Sequence, residues 1–380
     1  MKKVLIFVLA VAALLGGSYL YRTTLRSSEF VIISTNDVHG SLGDMSRLAT
    51  AVKESRDTVF TLVVDAGDRW TGNAYIDLAE GRLPIIHLMN AVGYNVVTLG
   101  NHDFDAGVET LDGAVRSANF DFVCANVESE EELLAKVANS KCITTPDDVD
   151  IDFVGVVTSY SNGHPDGNDS NFVGLRFYDP QDVALRECNE SNGDVKVLLS
   201  HMGHDRDLEY VSKNSGYDLL IGGHTHKVLD TLVNGTTIGQ TGRKMRNVGV
   251  TRVKMRGRKV VNIEYENISL QDYAKDAKVE AMVAEIGIYH RGGVRIIEGL
   301  PAGDVTVKTL FDNEPFFSQI HTVDVTPAQL RKLIVEKYND TVNAKESHVV
   351  DLYATTPYRI IVDENDMAYD VEFPLLKERR

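Results

Sequence analysis

The feature that most constrains this chain is a short apolar run, Asn95-Val96-Val97-Thr98-Leu99, which leads directly into Gly100-Asn101-His102-Asp103-Phe104-Asp105. The run reads as a buried strand, and Ala106-Gly107 closes the polar segment with a turn. A strand delivering an amide, an imidazole and carboxylates to a turn is how α/β proteins present chemistry at the carboxyl edge of a sheet. Four clusters of the same kind recur at separated points: Asp37-Val38-His39, Gly67-Asp68, Ser200-His201 and Gly223-His224-Thr225-His226.

The rest of the chain supplies strands and helices in alternation. Strands are predicted over Phe30–Ser34, Val59–Asp65, Asn95–Leu99, Phe120–Ala125, Ile151–Thr158, Val195–Ser200 and Tyr217–Ile221. Helices are predicted over Met45–Arg56, over Leu83–Val92 with Pro84 in its first turn, and over Pro180–Asn189. After His226 the pattern becomes strand-only, over Thr236–Gln240, Val248–Met255 and Val260–Asn267, with Gly- and Arg-rich turns between. A βαβ series closed by antiparallel strands is one α/β domain, placed at 29–268, with helix-covered sheets. Residues 160–174, rich in Ser, Asn, Gly and Asp, are expected to form a loop that shapes access to the site.

Charge narrows the ligand. The formal net charge is −16, which argues against a nucleic acid polymer, whose binding needs clustered Lys and Arg. It also disfavours docking on anionic lipid. A small phosphate ester remains compatible, because bound cations reverse the local potential. No protein partner is evident. Of the three cysteines, Cys124 is expected to be buried, and Cys142 and Cys188 have no metal-type spacing. Residues 1–28 read as targeting: Lys2-Lys3, an apolar run from Val4 to Leu15, then Gly16-Gly17-Ser18. Apolar character resumes at Tyr19-Leu20-Tyr21, so the segment is either a cleaved signal or a retained membrane anchor. Export to a periplasm or cell envelope follows from either.

The clusters carry metal-type chemistry. Residues two apart on an extended segment share a side. Asp37 and His39 are therefore expected to converge, as are His224 and His226 if that segment is extended. Asn101 and His102 should diverge, one toward a metal and the other toward substrate. His102 and Asp105, three apart on a tight turn, can meet, the carboxylate fixing the imidazole tautomer and raising its basicity. Oxygen and imidazole donors without thiolates suit Mn, Zn, Fe, Mg or Ca. Six or more such donors exceed one ion, whereas two ions about 3.5–4 Å apart sharing a carboxylate would use them all. Asp68 is the natural bridge, since Gly67 lets the backbone approach closely. His87, His164, His204, His321 and His348 are read as ordinary core histidines.

In their order along the chain these residues resemble a known family. Asn36-Asp37-Val38-His39-Gly40, Gly67-Asp68, Gly100 to Asp105, Ser200-His201-Met202-Gly203 and Gly222-Gly223-His224-Thr225-His226 are similar to the signature of the 5'-nucleotidase/UDP-sugar hydrolase family of calcineurin-like metallophosphoesterases. The resemblance covers residues 30–268. It implies that Asp37, His39, Asp68 and His226 hold one divalent metal and that Asp68, Asn101, His201 and His224 hold a second. It also implies a His102–Asp105 dyad acting on the ester. The implied fold is a four-layer αββα sandwich followed by a smaller α+β C-terminal domain. The implied activity is hydrolysis of nucleotides or related small phosphate esters by metal-activated water. The alternatives are another ester on the same metal core (a sugar phosphate, pyrophosphate or thiosulfate ester) or a non-catalytic binding protein. The His102–Asp105 pair speaks against the last.

Beyond 268 the likeness thins. Gln271–Ile286 reads as a linker helix with Val279, Met282, Val283 and Ile286 at helical spacing, within a linker at 269–289. Residues 290–380 resemble a shortened form of the family's substrate domain through His290-Arg291-Gly292-Gly293-Val294-Arg295, Pro301-Ala302-Gly303-Asp304 and Pro315-Phe316-Phe317-Ser318. The resemblance puts Arg295 on a substrate anion and Phe316 against a base, with Arg291 as an added donor. His290, Arg291, Phe317 and Ser318 depart from the family pattern, and the motif supplying a second stacking aromatic is absent from 340–380. A base held by one ring loses about 1–3 kcal/mol of stacking. Tyr358–Asn365 reads as a strand into a turn.

Overall fold

The apolar runs become strands because β-branched and aromatic side chains can be buried on both faces of a parallel sheet. A computed structural model of the chain describes residues 17, 24–77, 79–129, 133–283, 286–288, 320–325 and 358–363. It divides into two compact units, residues 1–280 and 281–380. In the first, β1 (Ser27–Thr35), β2 (Phe60–Asp65), β3 (Val96–Thr98), β4 (Asp121–Val123) and β6 (Val137–Ala138) run parallel. Adding β14 (Asn247–Arg256) and β15 (Lys259–Ser269) gives a seven-stranded sheet in the order β15-β14-β1-β2-β3-β4-β6.

A second, six-stranded sheet has the order β12-β13-β11-β10-β8-β7. Its parallel centre is β8 (Asp150–Val157), β10 (Val195–His201), β11 (Leu219–Gly222) and β13 (Thr236–Thr241). β7 (Ser140–Thr144) and β12 (Val228–Val233) close it as antiparallel edges. β5 (Val127–Ser129) and β9 (Leu175–Phe177) pair separately.

The two sheets pack face to face. One buried cluster joins Phe30, Ile32, Leu62, Val64 and Val96 of the first to Ile151, Phe153, Val197, Leu199 and Ile221 of the second. A second cluster covers the outer face of the six-stranded sheet, where Val154, Val156, Leu198 and Leu220 meet Val183, Ala184, Tyr210 and Val211 of the helices Pro180–Glu190 and His204–Lys213. The helices Met45–Arg56 and Leu83–Val92 lie on the other sheet's side and bury Leu48, Val52, Ile85 and Met89. The result is the expected four-layer αββα sandwich. In the second unit β16 (Ile286–Ile288) runs parallel and β17 (Ile320–Val325) antiparallel to a central β18 (Tyr358–Asp363).

Three expectations are revised. The linker helix is shorter than its spacing implied: a 3-10 turn covers Leu270–Asp272, the helix covers Ala277–Val283, and Ile286 belongs to a strand. The helices Val108–Ser117 and His204–Lys213 were not foreseen, being short, largely polar segments. His87 is no core residue but an exposed one. Residues 1–28 lie almost wholly outside the described residues, as do 290–318, 326–330 and 348. Among the described residues no helix is long and apolar enough to cross a membrane.

Candidate metal centre

Every cluster singled out in the sequence lies at the carboxyl end of a parallel strand. Asp37 and His39 follow β1, Asp68 follows β2, and Asn101 and His102 open the 3-10 turn Asn101–Phe104 after β3. His201 ends β10, and His224 and His226 follow β11. The first sheet thus supplies one half of the site and the second sheet the other.

The local backbone is not extended. Asp37, His39, Asp68, His224 and His226 all have positive φ, between 47° and 73°. Each such residue costs about 1–3 kcal/mol and persists only where its surroundings over-determine it. Those surroundings are visible. Asp37 N donates to Gly67 O at 3.0 Å, His39 N to Asp68 O at 3.0 Å, and His224 N to the Asp37 carboxylate at 3.0 Å. Asn36 Nδ2 donates to Asp37 Oδ2 at 2.6 Å and to Gly242 O at 2.7 Å. Gly67 (φ +93°) permits a close approach: a Cβ there would lie 2.6 Å from Gly100 N and 2.8 Å from His201 Nδ1.

These turns aim the side chains differently from an extended segment. Asp37 and His39 do share a neighbourhood, His39 Nε2 lying 3.9 Å from Asp37 Oδ1. His224 and His226 part company. His226 Nε2 faces His39 Nε2 at 2.9 Å and Asp37 Oδ1 at 3.4 Å, whereas His224 Nδ1 faces Asn101 Oδ1 at 3.0 Å beside His201. Donor atoms of Asp37, His39 and His226 lie within 4.8 Å of one another, and so do those of Asp37, Asp68 and His201. Asp68 Oδ2 reaches both groups, 3.9 Å from His39 Nε2 and 3.1 Å from His201 Nε2.

The donor chemistry fits cations. His201 Nδ1–H donates to Ala66 O at 2.6 Å, so in the neutral ring Nε2 is a bare lone pair. That buried atom has no hydrogen-bond partner and lies against the Asp68 carboxylate. His39 repeats the pattern. Its Nδ1–H donates to Thr71 O at 2.9 Å, leaving Nε2 facing another imidazole nitrogen. A bare imidazole nitrogen buried against a carboxylate calls for a positive partner, a proton or a metal ion, and ligand imidazoles are commonly held through the opposite nitrogen in this way. With no thiolate in the set, hard or borderline divalent ions suit it.

Proton affinities follow from the crowding. Burial pushes Asp68 up, but His201, His102 and His39 outweigh it and hold the carboxyl far below the usual range. Burial pushes the His201 imidazole down, yet the Asp68 charge prevails and the group rises to about 10. His102 is raised, chiefly by its hydrogen bond to Asp105. Its Nδ1–H donates to Asp105 Oδ2 at 2.7 Å, and its backbone N donates to Asp68 Oδ1 at 2.8 Å. The rings of His102 and His39 are 5.4 Å apart. A cavity of about 260 Å³ opens over the cluster, lined by Asp68, Asn101, His102, Asp105, Asp166, Gly167, His224 and His226. Asp166 and Gly167 come from the 160–174 loop, as anticipated.

Two buried residues escaped the sequence reading. Asp103 accepts from Gly100 N (2.8 Å), Asp68 N (3.2 Å) and Arg69 N (3.2 Å), clamping the two loops that carry Asp68 and Asn101. The fully buried Arg69 completes it through Nη1 to Asp103 at 2.9 Å, with Nη2 bonded to Thr98 O. Asp103 stood inside the hexad, but only a fold could reveal that it points away from the cluster. Arg291, Arg295 and Phe316 lie outside the described residues. His164 stacks on Phe172 with 4.4 Å between ring centroids, and His204 pairs with Asp205.

Residues 30–228 match the family model described as calcineurin-like phosphoesterase, and residues 247–360 match the 5'-nucleotidase C-terminal domain. A trifunctional nucleotide phosphoesterase of Bacillus subtilis is 25% identical over 83% of this chain and 28% of its own length. A 5'-nucleotidase of Bos taurus is 31% identical over 54% of this chain and 39% of its own. The chain thus spans well under half the length of these curated relatives. A 5'-nucleotidase precursor from Thermus thermophilus superposes with a TM-score of 0.61 at 17% identity, over 90% of each chain.

Proposed function

Because the chain belongs to the calcineurin-like phosphoesterase family, we propose that it hydrolyses nucleotides or related small phosphate esters at a dinuclear metal centre. The observation that carries this reading is the buried His201 Nε2, unpartnered and turned toward the Asp68 carboxylate, with the His39–His226 pair repeating the arrangement. Asp37, His39, Asp68 and His226 would hold one ion, and Asp68, Asn101, His201 and His224 the other. When bound, such ions neutralise phosphoryl charge and lower the pKa of water toward neutrality.

The chain's own groups do the rest. Asp105 fixes the His102 tautomer by accepting from Nδ1, so Nε2 is the atom left to exchange a proton with the reacting ester. The raised His102 affinity, owed chiefly to Asp105, suits the ring to holding a proton that Nε2 can donate to the departing oxygen. The cavity over the cluster, lined by His102 and Asp105 beside Asp68 and Asn101, is where the phosphoryl group would be held. Preference for nucleotides is supported by the match of residues 247–360 to the 5'-nucleotidase C-terminal domain. Residues 29–268 are assigned the catalytic role, 269–289 a linker and 290–380 a reduced substrate domain, with Arg291, Arg295 and Phe316 as its contacts. Export is supported by Lys2-Lys3 and the apolar run that follows.

Purified protein with added Mn²⁺ should release phosphate from nucleoside monophosphates, UDP-glucose or sugar phosphates, and elemental analysis should find up to two divalent ions per chain. Release from none of these with metal fully loaded would overturn the catalytic reading in favour of a binding protein.

A further inference from the structure

Thr71 has φ +63°, a value that is a genuine outlier for a β-branched residue. Strain of this kind persists when several bonds hold it, and here four do. Its N–H donates to Asp77 Oδ1 at 2.8 Å, while Gly72 N and Asn73 N bind Asp77 Oδ2 at 2.9 and 3.1 Å. Its carbonyl accepts from His39 Nδ1 at 2.9 Å. Its hydroxyl donates to Asp105 Oδ2 at 2.6 Å. Arg82 Nη1 lies 3.4 Å from the hydroxyl oxygen as a donor, so the Thr71 proton is directed at the carboxylate.

The oxygen that receives it is the same Oδ2 that holds His102 Nδ1. One strained residue therefore ties the imidazole of a candidate metal ligand, through its carbonyl, to the His102–Asp105 pair, through its hydroxyl. Asn171 adds a lesser restraint on Asp105, donating to its carbonyl at 3.1 Å. It does not touch the carboxylate.

We propose that Thr71 is a positioning residue whose hydroxyl fixes the Asp105 carboxylate so that His102 is held in register with the metal centre. The inference deepens the hydrolase reading above and rests on it. Thr71→Val keeps the shape and removes the hydroxyl, and Thr71→Ser keeps the hydroxyl and relieves the crowding. Thr71→Val should lower kcat about 10–100-fold, the scale on which outer-shell partners act, with KM and bound metal unchanged, and Thr71→Ser should restore it. In ¹H NMR of the metal-loaded protein the downfield His102 Nδ1–H resonance should shift or broaden in Thr71→Val and persist in Thr71→Ser. The proposal is overturned if kcat of Thr71→Val stays within about two-fold of wild type, if Thr71→Ser is equally impaired, or if metal is lost in proportion to rate. Should wild type cleave no phosphate ester, the hydrolase reading fails, and the resonance alone decides whether Thr71 orients the pair.

Discussion

His39 and His226 present Nε2 to Nε2 at 2.9 Å, with the ring planes nearly perpendicular. His39 has already committed Nδ1–H to Thr71 O, so its neutral ring brings a lone pair to this contact. A divalent ion held there would replace this nitrogen-to-nitrogen contact with coordination and would bind the folded chain alone. At a free concentration about 100-fold above Kd it should add about 2.7 kcal/mol of stability. Thermal unfolding with and without chelator measures this. A melting temperature indifferent to chelator and to added Mn²⁺ or Zn²⁺ would contradict a metal centre here.

His102 contacts Asp105 through its ring and the Asp68 carboxylate through its backbone N–H, but it stands outside both groups of mutually close metal-type donors. His102→Ala should therefore lower turnover by about 10²–10⁴ while metal content holds. Steady-state kinetics beside elemental analysis separates the two roles. Equal loss of metal and rate would make His102 a ligand.

Much of this was legible in the sequence, for identifiable reasons. The run Asn95 to Leu99 has no polar face to offer solvent, so it had to be buried, and the residues after it had to emerge at a sheet edge. Met45–Arg56 was bounded correctly because its apolar spacing repeats over three turns. The spacing of Val108, Leu111 and Val115 was too brief to announce a helix. Side-chain direction was less legible than identity. An alternation rule for extended chain covers neither pair, since all four residues occupy the left-handed region: Asp37 and His39 still meet, whereas His224 and His226 part. Thr71, Arg69 and Asp103 could not be assigned at all, since the bonds defining them span more than thirty residues.

Asp103 and Arg69 form a fully buried ion pair, and Asp103 also binds three backbone N–H groups. Burial pushes the Asp103 carboxyl up and the Arg69 charge pulls it back. Asp103→Ala leaves the buried guanidinium with only the longer Asp65 contact at 3.4 Å and the Thr98 carbonyl, and it frees both loops. The expected loss is about 3–5 kcal/mol, the usual result of removing one partner from a buried pair. Urea unfolding monitored by circular dichroism measures it. A shift below about 1 kcal/mol would mean that water or Asp65 replaces the carboxylate.

Asp207, on the helix His204–Lys213, is buried and accepts from Ser200 Oγ. Burial pushes its carboxyl up to about 7, against partial relief from Ser200, His201 and Arg206. In the unfolded chain the same group titrates near 3.9. Between these values the folded state keeps a proton that the unfolded state has released. Stability therefore falls as pH rises through the window, by about 1.4 kcal/mol for each unit of upward displacement. Below about pH 4 both states are protonated, and above about pH 7 both are ionised with the whole cost present. Asp207→Asn cannot ionise and still accepts from Ser200. Its melting temperature relative to the metal-loaded wild type should climb from pH 4 to pH 7 and then level off. A difference that is flat across that range would show that Asp207 is ionised in the folded protein throughout.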